Sequence, residues 1–239
     1  MIDTINCKLY NLDYSRKFIT ESTKFLACLS NNEWLLNINS NCTPSRLAIL
    51  PNGIENIKKK FARDEKDKTK LIEEEIDTSD SELFINHEDF LEEEFLVDNV
   101  YGFMWGLKEF KDSEGNIVPN TKRPLIVNLH GGPHVYSTGN FSHTLNLFYK
   151  QGYKVLSVNY SGSASFDVEY NEKCCGLIGR LDTAEVMAYL ECFKVMGEYD
   201  PERVYFMGGS YSGYQGFEFL QRQPGLFQKL FIVNPVVNF

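Results

Sequence analysis

The chain has 239 residues, 43% of them hydrophobic, with 33 acidic against 24 basic side chains and a formal net charge of -9. That balance is globular, and its sign offers no general means of collecting nucleic-acid phosphates, so no nucleic-acid partner is expected. No apolar run reaches the roughly 18 to 20 residues of a membrane span, and the start MIDTINCKLYNLDY lacks a basic stretch followed by an apolar one, so neither a membrane association nor an export signal is expected.

In residues 1–53 short runs such as KFLACL (24–29) and EWLLNI (33–38) are separated by SNN and SNCTPS, which predicts short strands joined by turns. So few strands make no self-sufficient sheet, and the segment reads as the β-rich end of something larger. Residues 54–99 turn polar, with KKKFARDEKDKTK followed by LIEEEIDTSDSELFINHEDFLEEEF. Like-charge blocks repel and bury little, so a solvated insertion or partly helical linker is expected.

Residues 100–239 change texture again. VYGFMWGLKEF (100–110) predicts a strand, DSEGN a turn, and PLIVNL (124–129) a β-branched central strand. A helix over 140–151, a strand at KVLSVN (154–159), a helix over 181–193, a strand at RVYFM (203–207), a helix over 216–223 and a strand over 230–233 complete the pattern. Strands alternating with helices predict an α/β fold built on a mostly parallel sheet with crossover helices.

The sharpest local signal is RVYFMGGSYSG (203–213), where an apolar strand meets Ser210 and a helix follows. This is the geometry of a nucleophile elbow, which holds the serine backbone in a strained turn with its hydroxyl clear of the sheet. Small neighbours make room for that turn, here Gly208 and Ser212. Ser212 stands where a glycine is usual, with Gly213 one residue late, so crowding against the strand is expected. The alternative, a glycine-rich loop of a nucleotide-binding protein, would want GxGxxG after the first strand, and the chain has none.

LHGGPH (129–134) ends the central strand. Acyl transfer needs two N–H donors for its oxyanion, and the expected pair is the backbone of Gly132 and of Tyr211, the residue after the nucleophile. His130 reads as a hydrogen-bonding organiser of this loop and His134 as a wall of the substrate entrance. Both precede Ser210, whereas this fold class places acid and histidine after the nucleophile. His87 and His143 have no motif. HGGPH lacks supporting Cys or carboxylates at zinc spacing, so no metal and no organic cofactor is expected. Six scattered cysteines (Cys7, Cys28, Cys42, Cys174, Cys175 and Cys192) fit reduced thiols and a cytoplasmic location.

LHGGPHVYS (129–137), QGYKVLSVNYSGSASF (151–166), GLIGRLD (176–182), VYFMGGSYSGYQG (204–216) and FIVNPVVN (231–238) together resemble the acylaminoacyl-peptidases of the prolyl oligopeptidase family of serine peptidases. The resemblance implies a partial α/β-hydrolase fold in 100–239, preceded in 1–53 by strands resembling the end of a β-propeller. It implies release of N-acylated amino acids from short peptides, with Ser210 as nucleophile and an apolar entrance around Val135, Tyr136 and Phe166. It leaves a homo-oligomer open for a full-length form. Carboxylesterase chemistry on the same fold and a catalytically dead binding protein are the competing readings.

Three departures from that pattern are visible. Ser161 stands in NYSGS where the family commonly has Arg, removing a charge that organises loops. Tyr211 and Ser212 stand where His and Gly are common. No Asp or His follows Ser210, so the chain as given is expected to be inactive, truncated at both ends relative to the family.

Overall fold

The computed structural model describes four strands between residues 22 and 73, then residue 85 and residues 87–237 apart from 138, 139 and 165. The readings of Cys7, Cys42 and most of the charged stretch lie outside the described residues. The chain divides into two compact units, one of residues 16–87 with 138–146 and one that holds 88–137 and 147–239. The first contains β1 (Ser22–Cys28), β2 (Trp34–Asn39), β3 (Arg46–Leu50) and β4 (Ile72–Glu73), an antiparallel sheet in sequential order. β1 and β2 carry the two runs expected to be strands.

The second unit is built on six strands in the order β10-β9-β7-β8-β6-β5. They are β5 (Phe90–Val97), β6 (Val100–Leu107), β7 (Leu125–Leu129), β8 (Lys154–Asn159), β9 (Val204–Gly209) and β10 (Lys229–Val233). β10, β9, β7 and β8 run parallel, while β8 with β6 and β6 with β5 are antiparallel. The helices are α1 (His143–Lys150), α2 (Val168–Glu172), α3 (Leu181–Met196) and α4 (Tyr211–Arg222). This is the mostly parallel sheet with crossover helices that the alternation predicted. Every residue of β8 is buried, as a strand covered on both faces must be.

Three elements depart from expectation. β5 occupies the end of the stretch read as a polar linker. Its run FLEEEFLV buries only Phe90, Phe95 and Val97, and the acids between them suit an edge strand, where charge discourages pairing with other chains. α1 begins three residues later than the apolar spacing suggested. α4 begins directly after Ser210, where the elbow put the start of a helix, and so reaches five residues ahead of the helical stretch 216–223, because the turn needed before it is compressed into one residue.

Packing then fixes α3 against the sheet. Gly102 on β6 leaves room for the Tyr189 ring, whose atoms would lie 2.6 Å from a Cβ there. The Tyr189 hydroxyl reaches the carbonyls of Phe95 and Val100 at 2.9 and 2.7 Å, tying α3 to the β5–β6 hairpin. Phe193 adds an edge-on contact with Phe95 at 4.8 Å between ring centres. α3 is thereby held over the sheet with its first turn directed toward the start of α4. Among the described residues, no helix is long and apolar enough to cross a membrane.

Candidate active site

Parallel strands put their C-terminal ends on one edge of the sheet, and ligand sites in open α/β sheets form there. β7 pairs with β9 so that Leu129 lies opposite Gly208, and β9 pairs with β10 so that Gly209 lies opposite Val233. The HGGP loop and the GGSYS turn therefore leave adjacent strands at the same level.

Ser210 adopts φ 55° and ψ -121°, a left-handed conformation costing about 1 to 3 kcal/mol that persists only where its surroundings over-determine it. Here they do. Its N–H donates to the Val233 carbonyl, and its own carbonyl accepts from Gly213 and Val236, at 3.0 to 3.1 Å. The side chain is left exposed. Gly131 faces it closely: a Cβ on Gly131 would lie 3.3 Å from the Gly209 carbonyl oxygen and 3.8 Å from Ser210 Oγ. Glycine is what lets the HGGP backbone approach the serine.

The serine at 212 does not crowd the turn as expected. Its Oγ accepts from the Gly209 N–H at 2.8 Å and reaches the Gly209 carbonyl at 2.9 Å, so the hydroxyl ties the end of β9 to the first turn of α4. Gly208 supplies the space, since a Cβ there would come within 2.7 Å of Ser212 Oγ. Gly213 has a separate cause, because a Cβ on it would meet Pro235 at 2.6 Å. Replacing Ser212 with Ala should leave the half-buried Gly209 N–H without its side-chain partner. A stability loss of about 1 to 3 kcal/mol is expected in denaturant unfolding, and an unchanged midpoint would show that the contact contributes nothing.

His130 is inside the loop. Nδ1 faces the Gly131 carbonyl at 2.7 Å and Nε2 the Ser163 hydroxyl at 3.0 Å, while the ring stacks on Tyr160 at 4.4 Å. Tyr160 also donates to the His130 carbonyl at 2.9 Å. This is the loop-organising role read from the sequence. Burial pushes its pKa down to about 4, against a smaller upward pull from the Gly131 carbonyl. A depressed histidine stabilises the fold above its unfolded pKa near 6.5 and loses that contribution as pH falls toward 4. Between pH 7 and 4.5 the protein should therefore lose about 2 to 3 kcal/mol that a His130→Gln variant does not lose, read by unfolding at each pH. Parallel pH profiles would place the titrating group elsewhere.

His134 is exposed and pairs through Nδ1 with the Gly162 carbonyl at 2.9 Å. Val135 and Tyr136 beside it are 48% and 43% exposed. Phe166 is instead half-buried and stacked on Tyr101 at 4.8 Å, so it belongs to an aromatic cluster with Tyr170. His143 is exposed in the first turn of α1, and the His87 side chain lies outside the described residues.

The missing arginine at 161 has a local substitute for its charge. Ser161 donates from N–H and Oγ to the two oxygens of Glu185 at 2.7 and 2.5 Å, and Lys173 Nζ lies 3.6 Å from the same carboxylate. Sequence reasoning singled out neither Glu185 nor Asp182. Asp182, wholly buried at the start of α3, accepts from the Tyr211 hydroxyl and, at 2.9 Å, from Gln215 Nε2. The only signal was a pair of acids within a helix whose spacing is otherwise apolar.

A family model described as the prolyl oligopeptidase family matches residues 139–239, the stretch that contains the elbow. That segment is similar to the prolyl oligopeptidase family over somewhat less than half of the chain. The chain is 38% identical over 116 residues to acylamino-acid-releasing enzyme 1 of Oryza sativa subsp. japonica, covering 48% of this chain and 15% of that protein. It is 29% identical over 124 residues to the acylamino-acid-releasing enzyme of Homo sapiens, covering 52% of this chain and 17% of that one. The matched stretch thus spans about a sixth of the length of such relatives. Among solved structures, the acylaminoacyl peptidase of Pyrococcus horikoshii superposes with a TM-score of 0.61 at 17% identity, over 89% of this chain and 31% of that one. A post-proline cleaving enzyme from Rickettsia typhi gives 0.68 at 17% identity, over 91% and 28%. At such identities these two matches establish the fold alone, an α/β-hydrolase-like core with the mostly parallel sheet described above.

Proposed function

We propose that the chain carries the nucleophile half of a serine peptidase that releases N-acylated amino acids from short peptides. The observation that carries this reading is the register of Leu129 opposite Gly208, which sets the HGGP loop beside an exposed serine in a strained strand-to-helix turn. In that reaction Ser210 Oγ attacks the peptide carbonyl, a histidine oriented by an acid takes the hydroxyl proton, and the backbone N–H groups of Gly132 and Tyr211 hold the oxyanion. The same proton passes to the leaving amine. Water then attacks the acyl-enzyme and frees the acylated residue.

The 239-residue chain does not supply the proton acceptor. No Asp or His follows Ser210, and His130 is committed to the Gly131 carbonyl and Ser163. A serine hydroxyl without a base is a weak nucleophile, so the chain alone is inactive in this reading. The four-stranded antiparallel sheet of β1 to β4, a strand number and order shared by propeller blades, supports the proposal that this segment is the end of a β-propeller. A catalytic segment that begins at residue 100 and a charged linker before it belong to the same proposal, with β5 joining the catalytic sheet from the end of the stretch read as linker. Cys174 and Cys175, neither of them in a disulfide, support a cytoplasmic setting.

The test is hydrolysis of an N-acetyl-alanyl chromogenic amide by the purified chain beside a version extended at its C-terminus with the following reading frame. Turnover confined to the extended protein is expected. Equal, Ser210-dependent rates from both would overturn the assignment of the missing base, and preference for acyl esters over acyl peptides would make the protein an esterase.

A further inference from the structure

The geometry points to Asp182 as a positioning residue that holds the backbone of Tyr211 in line with the oxyanion. The inference rests on the proposed acyl transfer and concerns how one of its two donors is aimed.

Four observations converge on it. Asp182 is 0% exposed and makes no salt bridge among the described residues, so its burial is offset by hydrogen bonds alone. Both of its side-chain donors, Tyr211 and Gln215, belong to α4 and are four residues apart, so one carboxylate grips both ends of the first helical turn. The segment before α3 is tied to α4 as well, since Arg222 Nη2 donates to the Gly179 carbonyl at 2.8 Å. The turn needs such an outside grip, because Ser210 makes no side-chain cap to α4 and sits in a strained conformation.

Tyr211 in turn bears on the other half of the site. Its ring lies 6.0 Å from Tyr160, which stacks on His130 at 4.4 Å and donates to the His130 carbonyl. A continuous path of contacts runs from Asp182 through Tyr211, Tyr160 and His130 to the loop that bears Gly132. An apolar residue at 182 would fill the same space, but only a hydrogen-bond acceptor fixes the rotation of the phenol and so of the backbone attached to it.

The experiment compares Asp182→Asn, Tyr211→Phe and the double variant. Phe keeps the ring and removes only the hydroxyl. The two donors share Oδ2, so Asn keeps that acceptor position but exchanges a charged oxygen for a weaker neutral one. In the 239-residue chain, the Tyr211 amide order parameter from ¹⁵N relaxation should fall from about 0.85 to about 0.6 in each single variant and no further in the double. In the C-terminally extended protein, kcat should drop about tenfold with KM held, again without additivity. Order parameters that stay at the wild-type value, or losses that add in the double variant, overturn the proposal. A melting temperature that falls while kcat per folded molecule holds would make Asp182 purely structural. Should the extended protein hydrolyse no acyl substrate, the proposed function fails, and the order parameters still decide whether Asp182 orients Tyr211. If Asp182→Asn does not fold, Tyr211→Phe carries the test.

Discussion

Ser210→Ala in the C-terminally extended protein is expected to abolish hydrolysis of N-acyl peptides, with kcat lower by about 10⁶-fold, the scale seen when a triad nucleophile is removed from a serine peptidase. Folding should be spared, because the Ser210 side chain is exposed and the bonds that hold the turn are all made by its backbone. Ala carries the same Cβ that Ser already holds in the left-handed conformation at φ 55°, so the change adds no backbone strain. A fluorophosphonate should label the extended wild type at Ser210 and leave the variant unlabelled. Equal labelling of both would assign the nucleophile to another residue.

The second large effect is at Gly132. Its φ of 117° lies where L side chains are strained, and a Cβ would come within 2.6 Å of the His134 N and 2.9 Å of the Val135 N. Gly132→Ala must therefore shift the backbone of the loop itself. Loss of one oxyanion donor lowers kcat by about 10² to 10³-fold. The loop is exposed at this point, so the damage stays local and the melting temperature should move far less than the rate. A variant whose rate falls only in proportion to its folded fraction would show Gly132 to be a structural glycine.

Much of this was readable from residue type. PLIVNL holds the unbroken apolar run Leu125 to Val127, a pattern that suits a strand buried on both faces, and KVLSVN carries Val155, Leu156 and Val158 between polar residues. The elbow announced itself because few arrangements other than a sharp strand-to-helix turn use two glycines before a serine at the end of an apolar strand. β5 was hidden for the opposite reason: three successive glutamates in FLEEEFLV look solvated, and only the partner strand shows that their neighbours Phe90 and Phe95 face inward. The start of α4 came from the elbow motif and not from propensity, since GSYSG reads as loop and a single left-handed residue is not visible in a propensity. Asp182 and Glu185 were beyond sequence reasoning altogether. Their roles depend on which groups of α4 and of the 159–163 segment come to lie over α3, and no local pattern encodes that.

The order in which the central strand acquires its neighbours bears on how the protein is made. β7 leaves the ribosome first, β8 follows after some 25 residues, and β9, its other partner, only after about 75, several seconds of synthesis at typical rates. During that interval one edge of the most apolar strand is open. The β5–β6 hairpin and its antiparallel contact with β8 are already complete, so they can shelter the other side of the growing sheet. Long-range parallel pairing is slow to close, and here it is the last closure that sets Ser210 beside the HGGP loop. Nascent chains should thus acquire their core before their nucleophile is in place, and a chaperone that binds exposed strands would find its target between residues 125 and 129.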